Sequence, residues 1–178
     1  MAVLEIRKYP DEVLKKKALP LETINGETQR LIDDMVETMY AAPGIGLAAP
    51  QVGVSKRIIV IDVSSREEQM PLIVLINPEI EEAGGFVDSE EGCLSIPEFY
   101  SSVRRAERVV VKGLDREGKP VRIEACDLLA RALQHEIDHL DGVLFVDRLS
   151  TIKREFFKKR YLKRTVSATA GVSAGGKI

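Results

Sequence analysis

Residues Asp127 to Gly142 constrain this chain more than any other stretch, because they form a helix whose sides ask for different surroundings. Asp127 is expected to cap this helix and Gly142 to end it. Leu129, Leu133, Ile137 and Leu140 recur at helical spacing and make an apolar stripe that must pack on a core. Leu128, Ala132, His135 and His139 make a second stripe, and Arg131, Gln134 and Asp138 a third, polar side. The only two histidines of the chain thus lie one turn apart on one face, in His135-Glu-Ile-Asp-His139. Two imidazoles so placed reach a single metal ion. Glu136 stands between them, where a carboxylate can handle the protons of a bound water. The plain alternative is an ordinary helix with two surface histidines. Chance rarely sets both histidines and a glutamate in this pattern. The motif alone suggests a zinc protease and leaves one ligand unassigned.

The remainder of the chain reads as strands and further helices. With 178 residues, 44% of them hydrophobic, it can bury the core of one domain. The net charge of −2 gives no reason to expect nucleic acid as the main partner of the whole molecule. No eighteen apolar residues run together, and the first residues lack a signal or transit pattern. Two cysteines are too few for a disulfide framework, so a reduced, cytoplasmic protein is expected. Pro10 to Lys17 suggests a short helix. Asn25 caps another, with Leu31, Ile32, Met35, Val36, Met39 and Tyr40 on its apolar face and Gly44-Ile-Gly46 as its stop. Strands are expected over 57–63, 72–77, 107–114 and 121–124, all rich in Val and Ile or bounded by turn residues. A last helix runs from about Ser150 to Arg164, and the small residues from Ser167 to Ile178 are expected to be mobile. Strands mixed with segregated helices predict an α+β fold.

Two other segments carry candidate chemistry. Glu91-Gly-Cys-Leu-Ser95 is expected on a loop or strand edge, and the Cys93 thiolate suits Fe(II) or Zn(II). With two histidines it leaves one tetrahedral position for water. Gly92 lets backbone and substrate approach closely. Cys126 is expected to be a buried packing residue, and taken alone Cys93 would be one too. Gly44-Ile-Gly-Leu-Ala-Ala-Pro-Gln51 lacks the third glycine of a dinucleotide loop. It suits a tight pocket wall with a Gln51 amide free to donate, although a simple helix-to-strand connector explains it as readily.

Together, Gly44 to Gln51, Glu91 to Ser95 and Gln134 to His139 resemble, in content and order, the three motifs of the peptide deformylases. The resemblance covers about residues 2–165. It implies an α+β fold with antiparallel strands packed around a central metal-binding helix, plus a C-terminal helix. Residues 1–165 would then form a single catalytic domain, and residues 166–178 a low-complexity tail. By the same resemblance the metal ligands are Cys93, His135 and His139, and Glu136 is the general base and acid. Gln51 and the Leu94 backbone N–H would stabilise the oxyanion. The methionine pocket would involve Ile45, Leu128, Arg131 and Ala132, Ile45 and Gly92 would offer backbone hydrogen bonds, and Gly46 would also bind substrate. Arg131 departs from an all-apolar pocket, and Tyr100 stands where some relatives have Arg. The Glu91 and Arg105 side chains are expected to pair. The cofactor implied is one divalent ion, usually Fe(II), with Zn(II), Ni(II) or Co(II) as substitutes. The substrate implied is the formyl-methionyl end of nascent bacterial or organellar polypeptides.

Two rival functions remain on the sequence. One is a zinc-type metallopeptidase, which Cys93 in place of a third His or Glu ligand disfavours. The other is a ribosome- or RNA-binding protein with a vestigial site. From Lys153 to Arg164 there are seven Lys or Arg and one acid, a net of +6 that leaves −8 on the rest of the chain. A solvated basic helix accounts for this somewhat more simply than docking on the ribosome.

Overall fold

The computed structural model describes residues 2–64 and 70–173, with side chains as far as Lys163. Helix α1 spans Gly26–Ala41, and Asn25 caps it as expected, its side chain accepting from Thr28 N–H at 3.0 Å. Seven strands follow: β1 Gly46–Ala48, β2 Ile58–Ile61, β3 Ile73–Gly84, β4 Val87–Cys93, β5 Ile96–Arg105, β6 Arg108–Leu114 and β7 Pro120–Cys126. Helix α2 covers Asp127–Leu140 and helix α3 Thr151–Ser173. Among the described residues the pairings between these strands are antiparallel, in a five-stranded sheet of order β1-β2-β3-β6-β7 and a two-stranded β4-β5 ribbon. This is the α+β architecture expected.

The chain divides into two compact units, one ending at Phe145 and one beginning at Val146. In the first, β2 explains the layering. Ile58 and Val60 pack with Ile32, Met35 and Met39 of α1, whereas Ile59 and Ile61 pack with Leu129, Leu133 and Ile137 of α2. Both faces of the strand are covered, so Ile58–Ile61 reads as a continuous apolar run. Four fully buried side chains of this size supply about 6–12 kcal/mol of gross transfer energy. In the second unit, the Phe157 and Tyr161 rings of α3 meet at a tilt of 42° with centroids 5.1 Å apart.

Several local expectations are corrected. Pro10–Lys17 holds only a 3-10 turn, Glu12–Lys15, capped by Asp11. Tyr40 is half exposed rather than on the buried face of α1, and its hydroxyl hydrogen-bonds Asp62. Strands β1, β4 and β5 were not anticipated as strands. The residue before α2 is Cys126, and Asp127 is already its first residue, in the left-handed region at φ 54°. Cys126 is exposed, because it lies at the strand-to-helix junction and not on the core face. Gly142 does end α2, with φ 74°, and a Cβ there would collide with the Lys15 carbonyl. Helix α3 continues past Arg164 to Ser173. Of the segment expected to be mobile, residues 174–178 lie outside the described residues.

Candidate active site

Helix α2 carries the chemistry because its three sides are all used. The apolar stripe enters the core, and on the polar side Gln134 and Asp138 are buried as well. Gln134 donates to the Ala106 and Ala130 carbonyls and accepts from Ala106 N–H, each at 2.9 Å. Its amide thereby substitutes for a strand neighbour at the β5–β6 connection. Asp138 accepts from Arg105 Nη1 at 2.6 Å.

The histidine side faces the end of β4. Cys93 Sγ lies 3.3 Å from His139 Nε2, which lies 3.3 Å from His135 Nε2. The three donor atoms are all within 4.8 Å of one another. A tetrahedral ion bound at about 2.0–2.3 Å holds its nitrogen and sulfur ligands about 3.3–3.6 Å apart, so the donor set fits one ion. His135 Nδ1 is 2.9 Å from Glu91 Oε1, a partnership that fixes the tautomer and leaves Nε2 free for a ligand bond. Arg105 in turn grips Glu91 through Nε at 2.8 Å and Nη2 at 2.9 Å, so the expected pair forms. Arg105 is only 3% exposed, and with Glu91 and Asp138 it forms a buried carboxylate–guanidinium–carboxylate bridge from β4 to α2.

Charge is uneven across the cluster. Burial opposes ionisation of Glu91, but the hydrogen bonds from Arg105 and His135 and the Arg105 charge outweigh it, bringing the carboxyl down to about 2. Burial likewise works against a charged His135, yet hydrogen bonds to Cys93 and Glu91 hold that ring above its ordinary value. His139 is pushed well below its ordinary value by burial and by the charge of His135. Burial raises Glu136 to about 7. Its Oε2 is buried without a hydrogen-bond partner among the described residues. Gly46 is required beside it, since a Cβ there would lie 2.5 Å from Glu136 Oε1.

A cavity of about 830 Å³ opens over this cluster. Ile45, Gly46, Gly92, Leu128, Arg131 and Ala132 line it, as do Gln51, Leu94 and Glu136. Every residue expected in catalysis or substrate binding thus borders one space, with His139 buried at 1% exposure beneath it. Two details differ from expectation. The Gln51 amide is not wholly free, since Nε2 donates to Ser95 Oγ at 3.2 Å. The room beside Gly92 is taken by the Tyr100 ring, which a Cβ would meet at 2.6 Å. Ser95 and Asp138 were assigned no role from sequence. Ser95 could have been noticed as the last residue of the cysteine segment, whereas nothing local marks Asp138 as a partner for Arg105.

Comparison with known proteins points one way. The polypeptide deformylase family model matches residues 3–155. A peptide deformylase from Thermodesulfovibrio yellowstonii is 65% identical over 161 residues, spanning 90% of this chain and 98% of the relative. One from Syntrophobacter fumaroxidans is 54% identical, spanning 96% and 100%. The crystal structure of a peptide deformylase from Legionella pneumophila superimposes with a TM-score of 0.86 at 50% identity, covering 95% of this chain and 98% of that one. With its three motifs gathered around one cavity and its likeness extending through nearly the whole length, the chain belongs to the polypeptide deformylase family.

Proposed function

We propose that the chain hydrolyses the formyl group from the amino-terminal formyl-methionine of newly made polypeptides, with Cys93, His135 and His139 holding one divalent metal and Glu136 moving the protons. The carrying observation is the convergence of three donor atoms within 4.8 Å beside a buried carboxyl that has an unpartnered oxygen. When bound, the metal lowers the pKa of a water and polarises the formyl carbonyl. The chain's own groups do the rest. Glu136 takes the proton of the attacking water while its oxygen bonds to the formyl carbon. Gln51 Nε2–H and Leu94 N–H donate to the developing oxyanion, a contribution of about 3 kcal/mol per donor. The C–N bond then breaks as Glu136 returns the proton to the departing amine, giving formate and a free amino terminus. Burial that raises Glu136 suits both halves of this exchange. Ile45, Leu128, Ala132 and the stem of Arg131 receive the methionine side chain, and Ile45, Gly46 and Gly92 offer backbone to the peptide.

Fe(II) is the native ion in this reading, replaceable by Zn(II), Ni(II) or Co(II), since a Cys-His-His set suits several metals. Action on newly made polypeptides makes the work cytoplasmic in this reading. Metal analysis of anaerobically purified protein, with formate release from formyl-Met-Ala-Ser, tests the assignment. Absence of stoichiometric metal or of turnover refutes it.

A subsidiary element of the proposal is that α3 docks on ribosomal phosphate. The seven basic residues from Lys153 to Arg164 support it. Replacing Lys158, Lys159, Lys163 and Arg164 with Gln should weaken low-salt ribosome co-sedimentation and spare peptide turnover. Unchanged sedimentation refutes docking.

A further inference from the structure

We infer that Ser95 is a positioning residue, whose buried hydroxyl sets the Gln51 amide for the oxyanion. The inference rests on the hydrolytic reading above and follows from accounting for each polar atom of Gln51. Gln51 is 1% exposed, so none of its side-chain groups is satisfied by bulk water. Its Oε1 accepts from Ala48 N–H at 2.9 Å, which identifies the other end of the amide as the nitrogen. Nε2 carries two protons. One is donated to Ser95 Oγ at 3.2 Å and the other, over a longer contact, to Cys93 Sγ at 3.7 Å, toward the three-donor cluster. The Ser95 bond anchors the amide, and the long Cys93 contact is the one that can give way to an oxyanion above the metal ligands. Without the anchor the amide keeps its bond from Ala48 and the long contact to Cys93, and its last torsion is less firmly set.

The anchor is itself held. Ser95 is fully buried, and its carbonyl accepts from Tyr9 N–H at 2.8 Å. Arg7 N–H donates to the Gln51 carbonyl at 2.7 Å, and Lys8 Nζ to the Leu94 carbonyl at 3.1 Å. Three consecutive residues thus tie the Gln51 turn, the Leu94 peptide and Ser95 into one frame. The two donors assigned to the oxyanion sit on separate segments, and the Gln51–Ser95 bond is the shorter of two side-chain links between those segments. Preorganised donors of this kind act because they need not reorient as charge develops.

The test compares kcat and KM for a formyl-Met tripeptide in wild type, Ser95→Ala, Gln51→Ala and the double variant, each checked for metal content and melting temperature. Ser95→Ala should lower kcat about tenfold, less than the hundredfold or more typical of deleting an oxyanion donor outright, and leave KM within about twofold. In the Gln51→Ala background, Ser95→Ala should cost nothing further, because the residue it positions is gone. Ser95→Thr keeps the hydroxyl and should stay within about threefold of wild type. Additive losses in the double variant, wild-type kcat in Ser95→Ala, or a loss in Ser95→Thr equal to that in Ser95→Ala would each overturn the role of Ser95. An inactive, metal-replete wild type would instead overturn the hydrolytic reading, so the two failures are distinct.

Discussion

Replacing Arg105 with Met should expose how much of the fold depends on one buried cation. The substitution keeps an unbranched apolar stem and removes three charge-assisted hydrogen bonds, two to Glu91 and one to Asp138, at 2.6–2.9 Å. Both carboxylates are about 10% exposed at the side chain and have nowhere to move. Removing one partner of a buried ion pair costs about 3–5 kcal/mol. Protonation limits the loss, since neutralising a carboxyl at pH 7 costs about 1.4 kcal/mol for each unit between pH 7 and its pKa. A chain of this size loses about 2–4 °C of melting temperature per kcal/mol, so the variant should melt about 6–20 °C lower at pH 7. The sign of the pH dependence is fixed by Glu91. In wild type its carboxyl is lowered from 4.5 to about 2, so its stabilisation is full above about 4.5 and disappears as pH falls through about 2. Without Arg105, only His135 is left to offset burial and the Glu91 carboxyl rises from about 2, so acid costs the variant less than it costs wild type. The gap between the two proteins should therefore be widest near pH 7 and shrink steadily toward pH 3. Calorimetry across that range measures it. A gap below about 3 °C, or one constant with pH, would show that the bridge does not carry this energy.

Further outcomes follow from the same geometry. Glu136→Gln should retain stoichiometric metal and lose turnover by about 10²-fold or more, as it removes a proton carrier and no ligand; near-normal rates would exclude that role. Cys93→Ala should lower metal content in anaerobic preparations, and unchanged stoichiometry would remove Cys93 from the ligand set. Gly46→Ala should displace the Glu136 carboxylate, which a Cβ would meet at 2.5 Å, and reduce kcat far more than melting temperature. Equal activity would mean that Glu136 has room to spare. Stripping the metal with a chelator should lower the melting temperature, and adding Zn(II) or Ni(II) back should restore it, since only the folded chain brings the three donors together.

What could be read without coordinates had a physical signature in local order. Asn25 announced its cap, and the two faces of α2 that hold the core and the histidines followed from a 3.6-residue period. Strands β2 and β6 showed themselves because they are buried and rich in Val and Ile. Strand β4 did not, because Asp88-Ser-Glu-Glu91 has no apolar alternation; it is specified by pairing with β5 and by what α2 requires of Glu91. Strand β1 has three residues, one a glycine present for the sake of Glu136. The third side of α2 read as polar and no more, and only tertiary structure reveals Ala106 and Arg105 as the partners of Gln134 and Asp138. Cys126 was misplaced for a related reason: a thiol is buried by habit, but residue type says nothing of which way a junction turns.

Glu91 meets His135 and Cys93 meets His139, so a two-residue step on a strand is matched to a four-residue step on a helix. Four helical residues advance about 6.0 Å and two extended residues about 6.8 Å, so the two rulers agree over two marks and drift apart beyond them. The register shift between Glu91 and Cys93 falls inside that interval, where the strand can be trimmed to the helix. The site is therefore intolerant of any change in residue count between its paired groups. One residue inserted between Glu91 and Cys93, or between His135 and His139, would turn a ligand to the wrong face while leaving every functional side chain present in the chain.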